Sequence, residues 1–207
     1  MLFRSYGANL RSYNPDLAMV KAMIKARPSS HCHLLFLGVD WVRKGGNIAL
    51  EVARQLNERG LKTTLTIVGC QPFESKPPNF VRSLGFIAKW SEAGTQQINR
   101  LIAESHFLIL PSIADCTPMV FGEANAFGVP CLSTDVGGIP TIIQNDVNGK
   151  CFPISATSSE YSNYIEDLFL NYSYYQELAL SSFHQYESRL NWQTAVKNVK
   201  DLMQTLL

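Results

Sequence analysis

Four short, predominantly apolar runs punctuate the chain: Leu34–Leu37, Leu65–Val68, Phe107–Leu110 and Val129–Leu132. Each ends at or near Gly, Pro or Ser, the mark of a strand buried on both faces. Between them the period changes to that of a helix. Asn47–Arg59 brings Ile48, Ala49, Val52, Ala53 and Leu56 onto one face, Thr95–Ser105 groups Ile98, Leu101 and Ile102, and Met119–Phe127 is almost wholly apolar. Strand–helix–strand alternation makes right-handed crossovers and a parallel sheet covered on both faces. The prediction is a Rossmann-like, doubly wound α/β fold. Residues 14–27 predict a leading helix with Pro15 near its first turn. Beyond Phe152-Pro153 strand signals stop, and residues 154–207 predict two or three amphipathic helices. Their aromatic residues, among them Tyr161, Tyr164, Tyr175, Phe183 and Trp192, read as packing.

Composition narrows the function classes. The 207 residues are 46% hydrophobic and 17% charged, and 18 Lys+Arg against 17 Asp+Glu leave a net charge of +1. Such a chain makes one globular domain and is neither a nucleic-acid coat nor a polybasic membrane binder. An anionic ligand must therefore be met by a few local cations. No run of about 18 apolar residues is present to span a membrane, and MLFRSYGANLRS lacks a signal core, so the expected location is cytoplasmic. Five cysteines (Cys32, Cys70, Cys116, Cys131, Cys151), odd in number and mostly within apolar runs, read as buried free thiols. His31-Cys32-His33 opens a strand with no further ligand nearby and reads as no metal site. Asn171-Tyr172-Ser173 matches the glycosylation pattern incidentally. Dinucleotide, triphosphatase, nucleophile-elbow and zinc-protease motifs are missing, as is any Asp-x-Asp clamp.

Ligands of open α/β sheets bind beyond the carboxyl ends of the strands, and three loops there carry chemistry. Gly38-Val39-Asp40-Trp41-Val42-Arg43-Lys44-Gly45-Gly46 sets two cations before a glycine-opened helix, whose N-terminus is expected to offer free N–H groups and a positive dipole to a phosphate. By itself, this loop reads first as an exposed Arg-Lys pair beside a glycine-containing turn. In the second loop, Thr117 is expected to cap a helix with Pro118 at its first position. Asp115 then lies just before the helix and Glu123 in its second turn. Glu123 is the one charged residue from Cys116 to Thr134. A lone carboxylate on an apolar helix needs hydrogen-bond donors if buried, and a ribose diol supplies two. The third loop, Asp135-Val136-Gly137-Gly138-Ile139-Pro140, is expected to let its backbone approach a ligand closely.

The segments FLGVDWVRKGG, LTIVG, SLGFI, ILPS and DCTPMVFGEANAFGVPCLSTDVGGIP resemble the retaining glycosyltransferases of the family 4 type, two-lobed GT-B enzymes that use nucleotide sugars. The likeness runs from Tyr6-Gly7-Ala8-Asn9 to Leu190-Asn191-Trp192, and it is to the donor-binding C-terminal lobe. It implies that residues 1–30 form an interlobe linker and leading helix, that the acceptor-binding N-terminal lobe is missing, and that the chain alone transfers poorly. It further implies that Arg43 and Lys44 hold the donor diphosphate, that Glu123 bonds the ribose, and that Asp115 contacts sugar hydroxyls. Thr117, Pro118, Met119 and Val120 would lie along the sugar and phosphates. Gly85, Phe86 and Ile87 would flank the base, with Gly38, Gly69, Cys70, Gly137 and Gly138 nearby. The donor is expected to be a UDP-, GDP- or ADP-linked hexose, with no metal or cofactor. The intact enzyme is expected in the cytoplasm, including its inner membrane surface.

Three positions depart from the family pattern. Asp115 replaces the usual glutamate and reaches about 1.5 Å less; Pro118 lacks an N–H where glycine is common; and Thr141 stands where glutamate is frequent. Two other functions remain compatible with the residues: a sugar-nucleotide epimerase-like lobe, and a non-catalytic nucleotide-binding or interaction domain.

Overall fold

A computed structural model describes residues 7–10, 13 and 15–205. Six parallel strands, β1 (Cys32–Leu37), β2 (Thr63–Val68), β3 (Val81–Ser83), β4 (Phe107–Leu110), β5 (Cys131–Thr134) and β6 (Gly149–Phe152), form one sheet in the order β3-β2-β1-β4-β5-β6. Its helices are α1 (Leu17–Ala26), α2 (Gly46–Glu58), α3 (Glu92–Glu104), α4 (Met119–Asn125), α5 (Ser158–Leu170), α6 (Tyr172–Arg189) and α7 (Trp192–Gln204). The strand order reverses direction between β1 and β4, and such a switch point opens a crevice beyond the carboxyl ends of those strands.

Helices cover both faces of the sheet. α2 packs on α5 and against β1, β2 and β4; α1 and α4 pack on α6. Leu34, Leu35 and Phe36 of β1 and all four residues of β4 are buried, as double coverage requires. The face of α2 foreseen from its period, Ala49, Val52, Ala53 and Leu56, is buried without exception, whereas Ile48 is half-buried.

The structure shifts several boundaries. Val129 and Pro130 precede β5 rather than opening it, because proline has no N–H for the ladder; the strand begins at Cys131 and runs to Thr134. The helix foreseen to Phe127 stops at Asn125, and Gly128, at φ 62°, closes the turn as Val129 N–H returns to Ala124 O at 3.0 Å. β3 and β6 are three- and four-residue strands at the two sheet edges that the apolar pattern did not reveal. α1 begins after Asp16, whose side chain accepts Met19 N–H at 2.8 Å; Asn14, like Tyr6, lies outside the described residues. The thiols are not uniformly buried, since Cys116 is exposed on the loop before α4 and Cys70 and Cys151 are intermediate. The His31 ring, which opens the apolar run, pairs with Thr64 Oγ1 at 2.8 Å.

Candidate nucleotide-sugar site

The β1–α2 loop is organised by Asp40. Its carboxylate accepts Arg43 N–H at 3.0 Å and Arg43 Nε at 3.2 Å, and these bonds, the backbone one foremost, hold its carboxyl below the usual range. The loop folds back on α2 and changes what that helix presents. Gly46 N–H donates to Trp41 O at 2.8 Å, the Trp41 indole lies against Gly46, and Trp41 Nε1 donates to Asn47 Oδ1 at 2.8 Å. The first amide of the helix is therefore taken by the Trp41 carbonyl and is not free for an anion as expected. The cations are what the loop offers. Lys44 lays its stem against Gly38, where a Cβ would come within 3.2 Å of its Cγ, and sends its ammonium to Asp115.

Asp115 thereby joins the second loop to the first. Lys44 Nζ is ion-paired with Asp115 Oδ2, and Arg43 Nη1 lies 3.7 Å from the same oxygen. Arg43 Nη1 donates to Ala114 O at 3.1 Å, and Ile113 N–H donates to Arg43 O at 2.8 Å. Gly45 must be glycine: at φ 73° its Cβ would lie 1.9 Å from Pro111 O. Three loop charges foreseen as functional thus converge, two cations sharing the one Asp115 carboxylate, with Asp40 as the second acid at Arg43.

Two expectations about the other loops change. The cap of α4 is Pro118, at φ −68° and ψ 109°, with the helix starting at Met119; Thr117 turns its hydroxyl toward Gly138, where a Cβ would lie 3.3 Å from Oγ1. The first-turn amides of Met119 and Val120 have no hydrogen-bond partner among the described residues. At Gly137 and Gly138 the close backbone approach serves another loop: Cβ atoms there would lie 1.9 Å from Asp115 O and 1.8 Å from Cys116 O. The pair clamps the Asp115 turn in place.

Glu123 is 4% exposed on α4 and ion-paired with Lys89 of the β3–α3 loop. Two spaces flank that pair. A groove of about 220 Å³ is walled by Gly38, Gly69, Phe86, Ile87, Val120 and Lys89, among others. A small cavity of about 40 Å³ contains Glu123 with Asn9, Thr95 and Asn99, and Lys89 lines it too. Five residues foreseen for the site, Gly38, Gly69, Phe86, Ile87 and Val120, therefore share one groove at the carboxyl ends of β1 and β2, with Lys44 packed behind Gly38. Cys70, Thr117, Pro118, Met119, Gly137 and Gly138 do not wall it. Lys89 went unnoticed in the sequence because its partner lies 34 residues away. The one available signal was that an isolated Glu123 demanded a cation from elsewhere.

Residues 25–182 match the family described as glycosyl transferases group 1. The chain belongs to this family. Among curated relatives, the amylovoran biosynthesis glycosyltransferase AmsK of Erwinia amylovora is 27% identical over 150 residues, which is 64% of this chain and 35% of AmsK. Among solved structures, Anabaena HepE in complex with UDP-glucose superposes with a TM-score of 0.70 at 16% identity, over 96% of this chain and 56% of HepE. The C-terminal domain of the group 1 protein LpcC from Francisella tularensis superposes with a TM-score of 0.64 at 15% identity, over 89% of this chain and 99% of that domain. This group 1 chain thus has the Rossmann-like fold of GT-B glycosyltransferases and spans about a third of AmsK and about half of HepE. No helix among its described residues is long and apolar enough to cross a membrane.

Proposed function

We propose that this group 1 chain is the donor lobe of a retaining glycosyltransferase, which binds a UDP-, GDP- or ADP-linked hexose and presents it to an acceptor held by a lobe outside this sequence. The observation that carries the reading is the convergence at the sheet's switch point. A groove of about 220 Å³ is bounded by Phe86, Ile87 and Gly69, Lys44 packs behind its Gly38 wall and is ion-paired with Asp115, which also lies near Arg43, and the buried Glu123 is ion-paired with its Lys89. The HepE complex with UDP-glucose on the same fold agrees with such a ligand.

In this reading each charged side chain exchanges a protein partner for a ligand partner. The donor diphosphate takes over Arg43 and Lys44, bidentate at the guanidinium and as a point charge at the ammonium. Asp115, released from Lys44, accepts hydroxyls of the hexose, while Glu123 accepts those of the ribose. The free amides of Met119 and Val120 add donors along the phosphates. As the glycosidic C–O bond breaks, negative charge grows on the departing diphosphate, and the two cations offset it without metal or cofactor. Positioning of the anomeric carbon supplies the remainder, which requires the acceptor lobe, so the chain by itself binds without efficient transfer.

Calorimetric titration with UDP, GDP and ADP, alone and as sugar conjugates, tests this. One base is expected to bind with a dissociation constant in the micromolar range, about −8 kcal/mol. Folded protein that gives no heat with any of them contradicts the reading.

A further inference from the structure

Glu123 does not line the groove; Lys89 and Ile98 separate the groove from the small cavity that Glu123 lines. The carboxylate lines only the small inner cavity, whereas Lys89 lines both the cavity and the groove. Among the described residues, the Lys89 ammonium is the single ionic partner of Glu123. The lysine backbone is fixed where the β3–α3 loop enters α3: Lys89 O accepts the Thr95 hydroxyl at 2.8 Å, and Ala88 O accepts Ser91 Oγ at 3.0 Å. Its side chain, in contrast, is 44% exposed. The flexible stem can swing while the loop stays in place.

We propose that Lys89 is a specificity-determining latch on Glu123, closed over the carboxylate when the groove is empty and opened only by a ligand that brings a vicinal diol. This rests on the nucleotide-binding reading above. A buried carboxylate stripped of its one partner is strongly destabilising. The latch therefore opens only when the incoming group returns donors to Glu123. The two adjacent hydroxyls of ribose do so, each donating to one carboxylate oxygen. A nucleotide lacking them leaves the latch shut and binds through base and phosphates alone. Lys89 thus acts through Glu123 and is a positioning residue that sets how strongly the site prefers ribose: the diol alone bears the cost of opening the latch, so Lys89 tempers the preference of Glu123 for ribose over its deoxygenated forms.

The experiment compares binding of UDP and 2′,3′-dideoxy-UDP (or the guanosine or adenosine pair, whichever base the wild type takes) by calorimetry at one pH and ionic strength. Wild type, Lys89→Met, Lys89→Gln and Lys89→Arg are used, each checked for folding by circular dichroism. Removing the charge with Met or Gln is expected to tighten UDP about fivefold, the scale of one half-exposed ion pair. Binding of the dideoxy compound stays unchanged, so the ratio widens, and Arg restores the wild-type ratio. A pair that merely holds the fold would alter melting temperature and leave the ratio alone. Weaker or unchanged UDP binding in both Met and Gln variants overturns the latch. Failure of wild type to bind any of the three nucleotides removes the underlying reading instead.

Discussion

The two ends of the sheet hold positive charge in opposite ways. At the amino end, Arg27 is 4% exposed and donates to Gly128 O at 2.6 Å, Phe127 O at 2.8 Å, Ala103 O at 3.1 Å and Tyr175 Oη at 2.9 Å. Every partner is a carbonyl or hydroxyl from a segment that enters or covers the sheet, and no carboxylate contacts it among the described residues. Beside it, burial and the Arg27 charge push the His106 imidazole down to about 3. At the carboxyl end, Arg43, Lys44 and Lys89 are all held by carboxylates, Asp40 and Asp115 on loops and Glu123 on α4. The amino-end cation is locked into backbone and serves the fold; the carboxyl-end cations have partners that a ligand with phosphates and hydroxyls can replace. The contrast supports the proposed site without reference to any motif.

Changes at the amino end test the first half of that contrast. Arg27→Met leaves three carbonyls and the Tyr175 hydroxyl without their donor, and it is expected to cost about 3–5 kcal/mol of unfolding free energy, read from urea denaturation. The folded fraction should still bind nucleotide with wild-type affinity; a changed dissociation constant would tie the two ends together. His106 predicts a pH dependence of known sign. It stays neutral in the fold while the unfolded chain takes up a proton near pH 6.5, so stability is full above that pH and falls as pH drops toward 3. The loss between pH 7 and pH 5 is about 2 kcal/mol, and the urea midpoint should move by correspondingly less in His106→Gln. At the carboxyl end the order of effects reverses. Lys44→Ala is expected to weaken nucleotide diphosphate binding about tenfold, the scale of one charge-assisted hydrogen bond, with little change in melting temperature because Asp115 keeps Arg43 nearby. Equal losses of stability and affinity would erase the distinction.

Most of this architecture could be read from the pattern of side chains. The strands that form the centre of the sheet announced themselves because double burial demands unbroken apolar runs, and α2 did so because one face of it touches the sheet. The edge strands β3 and β6 were invisible, being three and four residues long and fixed by pairing more than by composition. In the candidate site, Glu123 stood out as the one charged residue from Cys116 to Thr134 and Arg43-Lys44 as adjacent cations before a glycine pair, whereas the role of Asp115 came from the family resemblance. What was not legible is who pairs with whom. Asp115 meets Lys44 across 71 residues and Glu123 meets Lys89 across 34, contacts that local sequence does not encode. The glycine pair Gly137-Gly138 was noticed for its freedom, but only the fold shows that this freedom accommodates the backbone of Asp115 and Cys116. Nor did the sequence show that Trp41 would fold back on α2, its carbonyl taking the Gly46 N–H and its indole lying against Gly46.

The most direct test follows backbone amide resonances while the nucleotide that binds by calorimetry is titrated into the protein. The account predicts shifts concentrated at Gly38–Lys44, Gly69, Phe86–Lys89 and Asp115–Glu123, with those around Arg27, His106 and Tyr175 unmoved. Saturable shifts centred on the amino ends of the strands, with the Gly38–Lys44 and Asp115–Glu123 segments silent, would contradict it.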